Sequence, residues 1–311
     1  MMDALSHGVV DWGTSSFRLW ALDRDGRLLG ERRSGQGLAF AAAEGFEAVL
    51  ESHLDALGVP DGVPVMMCGM VGSRAGWVEA PYLDAPVRLK RLAELATLAP
   101  ARRRDVRILP GIAQRNGDHP DVMRGEETQL LVLATEGHSG VACLPGTHSK
   151  WVVLDDGAVV RFSTFITGEL FQLMRAASLI APAVDGGAPV DASSPAFGSG
   201  VTDALASPAE VTNLVFELRA RWLLSSAAPA DTLARLSGLL VGLELAGATA
   251  RIGSLAGTML VASGPAAALY RRAFGIAGAP DVIVRDAESC VRDGLHAAAS
   301  AAFHETEEAC L

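Results

Sequence analysis

The chain has 311 residues, half of them hydrophobic and a fifth charged, with a formal net charge of −10 from 26 basic and 36 acidic side chains. That length accommodates two domains with cores of their own, and the apolar fraction excludes a disordered protein. The acidic balance argues against nucleic acid or an anionic membrane as partner, so an anionic substrate must meet positive charge inside a site.

Cys68, Cys143, Cys290 and Cys310 are scattered without a CxxC pair and read as reduced thiols of a cytoplasmic protein. No charged start followed by an apolar run opens the chain, so no secretory signal is expected. The uncharged stretch from Ile252 to Tyr270 carries Gly253, Gly257, Gly264 and Pro265. It reads as a loop, a buried strand and a turn into a helix, not as a membrane span.

In chain order, Val9 and Val10 lead into Asp11, then Gly13-Thr14-Ser15-Ser16 turns the chain into a second apolar strand. Asp25-Gly26 is a hairpin signal, and Arg27 to Glu31 returns as a third strand. An aspartate at a strand tip, beside amides freed by a Gly/Ser/Thr turn, suits a metal-bound phosphate; an ordinary polar hairpin has the same composition. Phe46, Val49, Leu50, Leu54 and Leu57 recur at helical spacing, with Glu47, Glu51 and Asp55 opposite. Pro64 to Met70 suits a buried strand that runs into the glycine-punctuated loop Val71 to Trp77. A helix over Arg88 to Leu98, a strand over Val106 to Leu109 and a helix opening at Met123 to Gln129 complete the first half.

Val141 to Gly157 then repeats the opening: Gly146-Thr147-His148-Ser149 matches Gly13-Thr14-Ser15-Ser16, and Asp156-Gly157 matches Asp25-Gly26. Val159 to Phe165 supplies the third strand again. A matched strand–turn–strand–turn–strand series predicts two similar domains, 1–136 and 137–311, with the last helix able to pack back on the first. Thr167 to Leu179 reads as a helix with Glu169 in its first turn. Residues 181–210, rich in Ala, Pro, Gly and Ser, read as a long loop with brief helix. Helical faces follow at Leu214, Val215, Leu218 and Trp222, and at Leu233, Leu236, Leu239, Leu240 and Leu243, where Gly238 and Gly242 permit close helix approach. Thr258 to Ala262 is a buried strand entering Ser263-Gly264-Pro265, a strand-to-helix turn. Val282 to Val284 is the last strand, Ala287 to Phe303 the last helix, and 304–311 should fray.

Several chemistries are excluded. Lys90 and Lys150 are the only lysines and neither follows a glycine, so no P-loop exists, and GxGxxG, HExxH and GxSxG are absent as well. What remains is a phosphate-type hairpin in each half. Opposed across a pseudo-twofold, they would hold a nucleoside triphosphate in an interdomain cleft.

Asp11-Trp12-Gly13-Thr14-Ser15, Pro145 to Trp151 and Thr167-Gly168-Glu169-Leu170 resemble the phosphate motifs and following helix of 2-dehydro-3-deoxygalactonokinases. Gly69 to Ser73 with Gly76-Trp77, and Val122 to Gln129, resemble that family too. The resemblance runs across nearly the whole chain. It implies an α/β fold of two actin-like, ribonuclease H-like domains, each with a mixed sheet that begins with a three-strand meander and is flanked by helices. It also implies use of ATP and Mg2+ to phosphorylate the 6-hydroxyl of 2-dehydro-3-deoxy-galactonate.

On that resemblance Asp11 would organise magnesium through water, while Gly13, Thr14 and Ser15 wrap the terminal phosphates and Gly146, Thr147 and His148 approach from the second domain. Ser263 and Gly264 fall where adenosine lies in this fold. Glu126 and Glu127 occupy the position of the base, Glu127 being preferred by position; either can instead be a residue of the helix N-terminus without catalysis. The second phosphate motif lacks the aspartate many sugar kinases carry, which moves the base toward this pair. Arg18, Arg124 and Lys150 supply candidate cations for the substrate carboxylate, with a structural hairpin pair as the other role of Arg18. Ser73 and Trp77 are candidates for the sugar-acid pocket, and Trp77 serves equally as a core aromatic. The competing readings are a kinase for another 2-oxo-3-deoxy sugar acid, and a phosphoanhydride hydrolase of the exopolyphosphatase kind, whose Gly-x-Glu-Glu stretch resembles Gly125-Glu126-Glu127. A sugar-sensing regulator would add a DNA-binding segment, which does not precede Val9. Small apolar patches on the second domain would allow a homodimer.

Overall fold

The computed structural model describes residues 4–115, 119–186 and 189–303. Strands β1 (Leu5–Trp12), β2 (Phe17–Asp23) and β3 (Leu28–Ser34) are followed by helices α1 (Leu38–Glu44) and α2 (Phe46–Ala56) and by β4 (Val65–Gly69). Short elements come next: β5 (Tyr82–Asp84), β6 (Val87–Arg88), α3 (Arg91–Glu94), β7 (Thr97–Leu98), β8 (Val106–Ile108), β9 (Gly111–Gln114) and β10 (Asp121–Met123), then helix α4 (Glu126–Thr135). The second series is β11 (Gly140–Leu144), β12 (Ser149–Asp155), β13 (Ala158–Phe165), α5 (Thr167–Ala177), α6 (Ala181–Val184), α7 (Pro195–Ala206), α8 (Val211–Ser225) and α9 (Pro229–Ile252). It ends with β14 (Met259–Val261), α10 (Gly264–Ile276), β15 (Ile283–Arg285) and α11 (Ala287–Phe303).

Two compact units result: Met1–Ser139 with Leu154–Arg161 and Glu288–Leu311, and Gly140–Val153 with Phe162–Ala287. The main sheet of the first runs β3-β2-β1-β4-β8-β7, and that of the second runs β15-β14-β11-β12-β13. In each, a three-strand meander is extended from its first strand by two parallel strands: β4 and β8 in the first unit, β14 and β15 in the second. The sequence repeat is therefore a topological repeat, and the α/β class with two mixed sheets stands.

In the first unit Val10, Trp12, Phe17 and Leu19 pack with Val65, Met67, Val106 and Ile108 and with Val49, Leu50 and Leu54 of α2. The helical stripe of α2 faces this core as its spacing predicts. Glu51, expected on the polar face, is instead buried, and Arg104 donates to its two oxygens at 2.8 and 2.7 Å. A carboxylate can enter a core when a guanidinium fork satisfies both its oxygens.

Two further readings need correction. Arg88 to Leu98 is not one helix: α3 has four residues, and Thr97 and Leu98 pair antiparallel with Ile108 and Arg107. Sheet pairing overrides a weak apolar periodicity here. Residues 181–210 contain the 12-residue helix α7, not chiefly loop. Its small residues serve helix packing. A Cβ on Gly200 would lie 2.6 Å from the Arg235 carbonyl, and one on Gly238 of α9 would lie 2.1 Å from the Phe197 carbonyl. The three-stranded sheet β10-β9-β5 has no counterpart in the sequence reading, since strands of three or four residues carry too little periodicity. Cys68 and Cys143 are buried free thiols and Cys290 is buried, while Cys310 and the 304–311 terminus lie outside the described residues. The stretch 252–270 is loop, β14 and the start of α10, as read.

Candidate functional site

In the first unit, Asp11 stands at the end of β1, opposite Arg18 across the hairpin and beside Cys68 of β4. Its Oδ2 lies 3.9 Å from Arg18 Nη1, and its side chain is 25% exposed. Burial pushes the Asp11 carboxyl above the usual range, Arg18 pulls it back, and the Glu126 charge pushes it up again. A half-buried acid with the charge of a second acid nearby favours a cation. Among the described residues no three His, Cys, Asp or Glu side chains converge as a ligand set. A single strand-end carboxylate such as Asp11 suits a cation that keeps its own waters.

The turn after Asp11 is braced from below. The Gly13 amide donates to the Ser16 carbonyl at 2.9 Å, and the Leu38 amide reaches the Gly13 and Thr14 carbonyls at 3.1 and 3.0 Å. Gly37 packs so closely that a Cβ there would lie 2.3 Å from the Thr14 carbonyl. Thr14 and Ser15 remain exposed at the tip.

Gly69 and Gly125 bring β4 and α4 against this strand end. Both have positive φ, +92° and +109°, and a Cβ on Gly125 would sit 3.5 Å from Gly69 Cα. Glu126 Oε2 accepts the Arg124 amide at 3.0 Å. Glu127 is fully buried, and both its oxygens accept the Gly125 amide, at 2.8 and 2.7 Å. Burial pushes the Glu127 carboxyl up to about 8, the Glu126 charge adds to this, and backbone amides and Arg124 oppose it. Two adjacent glutamates have thus become one buried acid and one more accessible carboxylate.

Behind them the Arg124 guanidinium lies over the Tyr82 ring, 4.2 Å from its centroid, and Nη2 donates to the Ala80 carbonyl at 2.8 Å. Its buried Nη1 and the buried Ser73 Oγ have no hydrogen-bond partner among the described residues. Such groups are costly to bury unpaired, and a carboxylate or hydroxyl ligand would satisfy them. Trp77 is half-buried and stacks on Phe46, with ring centroids 6.2 Å apart.

In the second unit, a cavity of about 410 Å³ opens beside the second hairpin turn. Pro145, Gly146 and Thr147 form one wall, Thr167 and Gly168 of α5 a second, and Pro265, Ala266 and Tyr270 of α10 a third. Turn and helix interlock: the Glu169 amide donates to the Thr147 carbonyl at 3.0 Å, and a Cβ on Gly168 would lie 2.3 Å from the Gly146 carbonyl. A cavity beside a glycine turn and two helix starts is a setting in which an anion is favoured.

Comparisons with known proteins identify the family. Residues 11–298 match the family model described as 2-keto-3-deoxy-galactonokinase. The chain belongs to that family. A probable 2-dehydro-3-deoxygalactonokinase of Rhizobium meliloti (strain 1021) is 49% identical over 97% of this chain and 99% of its own length. The 2-dehydro-3-deoxygalactonokinase of Escherichia coli (strain K12) is 34% identical over 94% of this chain and 97% of its own. A crystal structure of a Sinorhizobium meliloti protein assigned to the same kinase group superposes with a TM-score of 0.92 at 49% identity, covering 96% of this chain and 99% of that one.

Within this kinase-family chain, the predicted residues fall into three placements. Asp11, Gly13, Arg18, Glu126 and Glu127 gather around the first hairpin, while Arg124 and Ser73 adjoin them through Gly72, where a Cβ would lie 3.0 Å from Arg124 Nη1. Gly146 and Thr147 line the cavity, and His148 turns outward to Glu169, 2.7 Å away. Thr14 and Ser15 stay exposed at the first turn and Trp77 stacks on Phe46, while three more residues are otherwise engaged. Lys150 is buried and donates to the His148 carbonyl at 3.1 Å. Ser263 Oγ donates to Asp286 at 2.6 Å and accepts the Ala287 amide at 3.0 Å, and Gly264 supplies a φ of +57° at the start of α10. The sequence reading overlooked Gly37, Gly125 and Tyr270 as site-forming residues. A conformational signal existed only for the glycines.

Proposed function

We propose that this protein transfers the terminal phosphoryl group of ATP to the 6-hydroxyl of 2-dehydro-3-deoxy-galactonate. The membership of the chain in a kinase family along nearly its whole length carries this reading. The carboxylates beside the first hairpin and the cavity beside the second support the reading, since phosphoryl transfer needs positioning, charge neutralisation and proton removal.

In this reading the cavity of the second unit takes the nucleotide, with Gly146 and Thr147 against phosphate and the first turn of α10 against the nucleoside. In the first unit, Thr14 and Ser15 are the residues suited to phosphate oxygens. Asp11 would hold magnesium, which neutralises phosphate charge when bound. Arg124 Nη1 and Ser73 Oγ, the two unpartnered polar atoms, receive the substrate carboxylate or a neighbouring hydroxyl. The substrate's 6-hydroxyl oxygen bonds to the γ-phosphorus, the bond to the ADP oxygen breaks, and the hydroxyl proton passes to a carboxylate. Position alone favours Glu127 for that last task. Its burial and its proton affinity near pH 8 favour Glu126 as the acceptor, with Glu127 fixing the glycine beneath it. We place the reaction in the cytoplasm, where the buried thiols stay reduced.

ADP release by the purified protein over a panel tests the reading: 2-dehydro-3-deoxy-galactonate, its gluconate epimer, galactonate and polyphosphate. Release with the first substrate is expected. Release with none of the sugar acids would refute the kinase reading, phosphate release from polyphosphate would favour the hydrolase, and preference for the epimer would change the substrate.

A further inference from the structure

We propose that Glu244 is a positioning residue for nucleotide binding: its buried carboxylate ties the exit of the second phosphate turn, the start of α5 and the inner face of α10 into one wall of the second unit's cavity. The inference rests on the reading of that cavity as the nucleotide site.

Glu244 lies in α9 between Leu243 and Leu245 and is 1% exposed. Nothing in the reaction described above uses it. Its Oε1 accepts the Trp151 indole N–H at 2.9 Å and its Oε2 accepts the Tyr270 hydroxyl at 2.8 Å; burial pushes the carboxyl up, and these donors with the Thr167 hydroxyl oppose that. Tyr270 Oη lies 3.1 Å from Ser149 Oγ, so the tyrosine donates to Glu244 while accepting from the serine. A side chain that only accepts is therefore surrounded by donors from β12, α5 and α10.

These donors adjoin the site. Ser149 follows directly on Gly146-Thr147-His148, and Thr167 and Tyr270 themselves line the cavity. The Thr147 carbonyl is already bonded to the Glu169 amide, so the turn and α5 shift together once either loses its anchor. A lone carboxylate is also an inefficient way to stabilise a core, because a well-packed apolar residue of similar volume often serves as well. Held instead by several directional bonds, it fixes relative positions of three elements, which apolar packing does loosely.

Glu244→Leu, Glu244→Gln and Tyr270→Phe, each checked for folding by circular dichroism and thermal melting, test the proposal through two readouts. These are the calorimetric Kd for ADP and the separate KM values for ATP and the sugar acid. Glu244→Leu should raise the ADP Kd and the ATP KM by about tenfold or more, as expected for lost charge-assisted hydrogen bonds. Glu244→Gln, which still accepts from the indole, should recover most of that loss, and Tyr270→Phe should cost about threefold. The sugar-acid KM should move less than about twofold, because uniform loss of fold would move both constants. A folded Glu244→Leu protein with unchanged ADP affinity, or with both KM values raised together, would overturn the proposal. Should that variant not fold, unchanged ADP affinity in folded Tyr270→Phe overturns it. If the wild type phosphorylates the sugar acid and a folded Ala266→Trp variant, whose side chain fills the cavity, keeps the wild-type ADP affinity, the nucleotide reading of the cavity is refuted, and this proposal with it.

Discussion

The amide of Gly125 donates to both carboxylate oxygens of Glu127, at 2.8 and 2.7 Å, from a backbone with φ of +109° that few other residues adopt. This pairing separates two neighbouring glutamates that look equivalent in the sequence. It buries Glu127 and leaves Glu126 toward Asp11.

Glu126→Gln should therefore reduce kcat by about a hundredfold or more while the ATP KM changes little, the usual scale for removing a proton acceptor. Glu127→Gln should reduce it less, since an amide oxygen can still accept the Gly125 N–H. Steady-state kinetics of both variants checks the assignment; the reverse ranking would restore Glu127 as the base.

Glu127 also gives stability a pH dependence of definite sign. Its folded carboxyl is pushed up to about 8, above the unfolded value of 4.5. Between those values the folded state keeps a proton that the unfolded state has lost, so stability falls as pH rises across the window, by up to about 1.4 kcal/mol per pH unit. Thermal melts at pH 5.5 and 8.5 should show a larger loss in wild type than in Glu127→Gln, which has no such proton to lose.

Asp11→Ala should abolish measurable turnover in a protein that still folds, since Asp11 is a strand-end carboxylate and not a core side chain. Circular dichroism with ADP-release kinetics checks both halves of the prediction. Retention of more than about a tenth of wild-type turnover would remove Asp11 from charge organisation.

Arg124→Lys should raise the sugar-acid KM by about tenfold and leave the ATP KM near wild type. Lysine keeps the charge but loses the planar fork that lies on Tyr82 and projects Nη1. Separate titrations of the two substrates distinguish this from general damage.

Ser263→Ala should lower the melting temperature modestly, the loss of one hydrogen-bonding hydroxyl costing about 1 kcal/mol, with little change in the ATP KM. The hydroxyl is already committed to Asp286 and the Ala287 amide. An ATP KM raised tenfold or more would instead assign Ser263 to the nucleotide.

The hairpins were legible because a phosphate turn is a local object: Asp11 to Ser16 and Gly146 to Ser149 carry their own turn chemistry, and their repetition gives the matched sheet orders. What was hidden depends on distant partners. Glu244 looks like an exposed position until Trp151, Ser149 and Tyr270 are folded around it. Glu51 is misread for the same reason, as its partner Arg104 lies on another segment. The small residues of α7 suggest a loop because their packing against α9 is invisible in one dimension.

The central claim is phosphorylation at a primary carbon of the sugar acid. Phosphorus NMR of the product formed from ATP and 2-dehydro-3-deoxy-galactonate tests it most directly. The account predicts a phosphate-ester signal split into a triplet by the two protons on C6, appearing in step with ADP. A doublet from a secondary carbon, or inorganic phosphate with no ester, would contradict it.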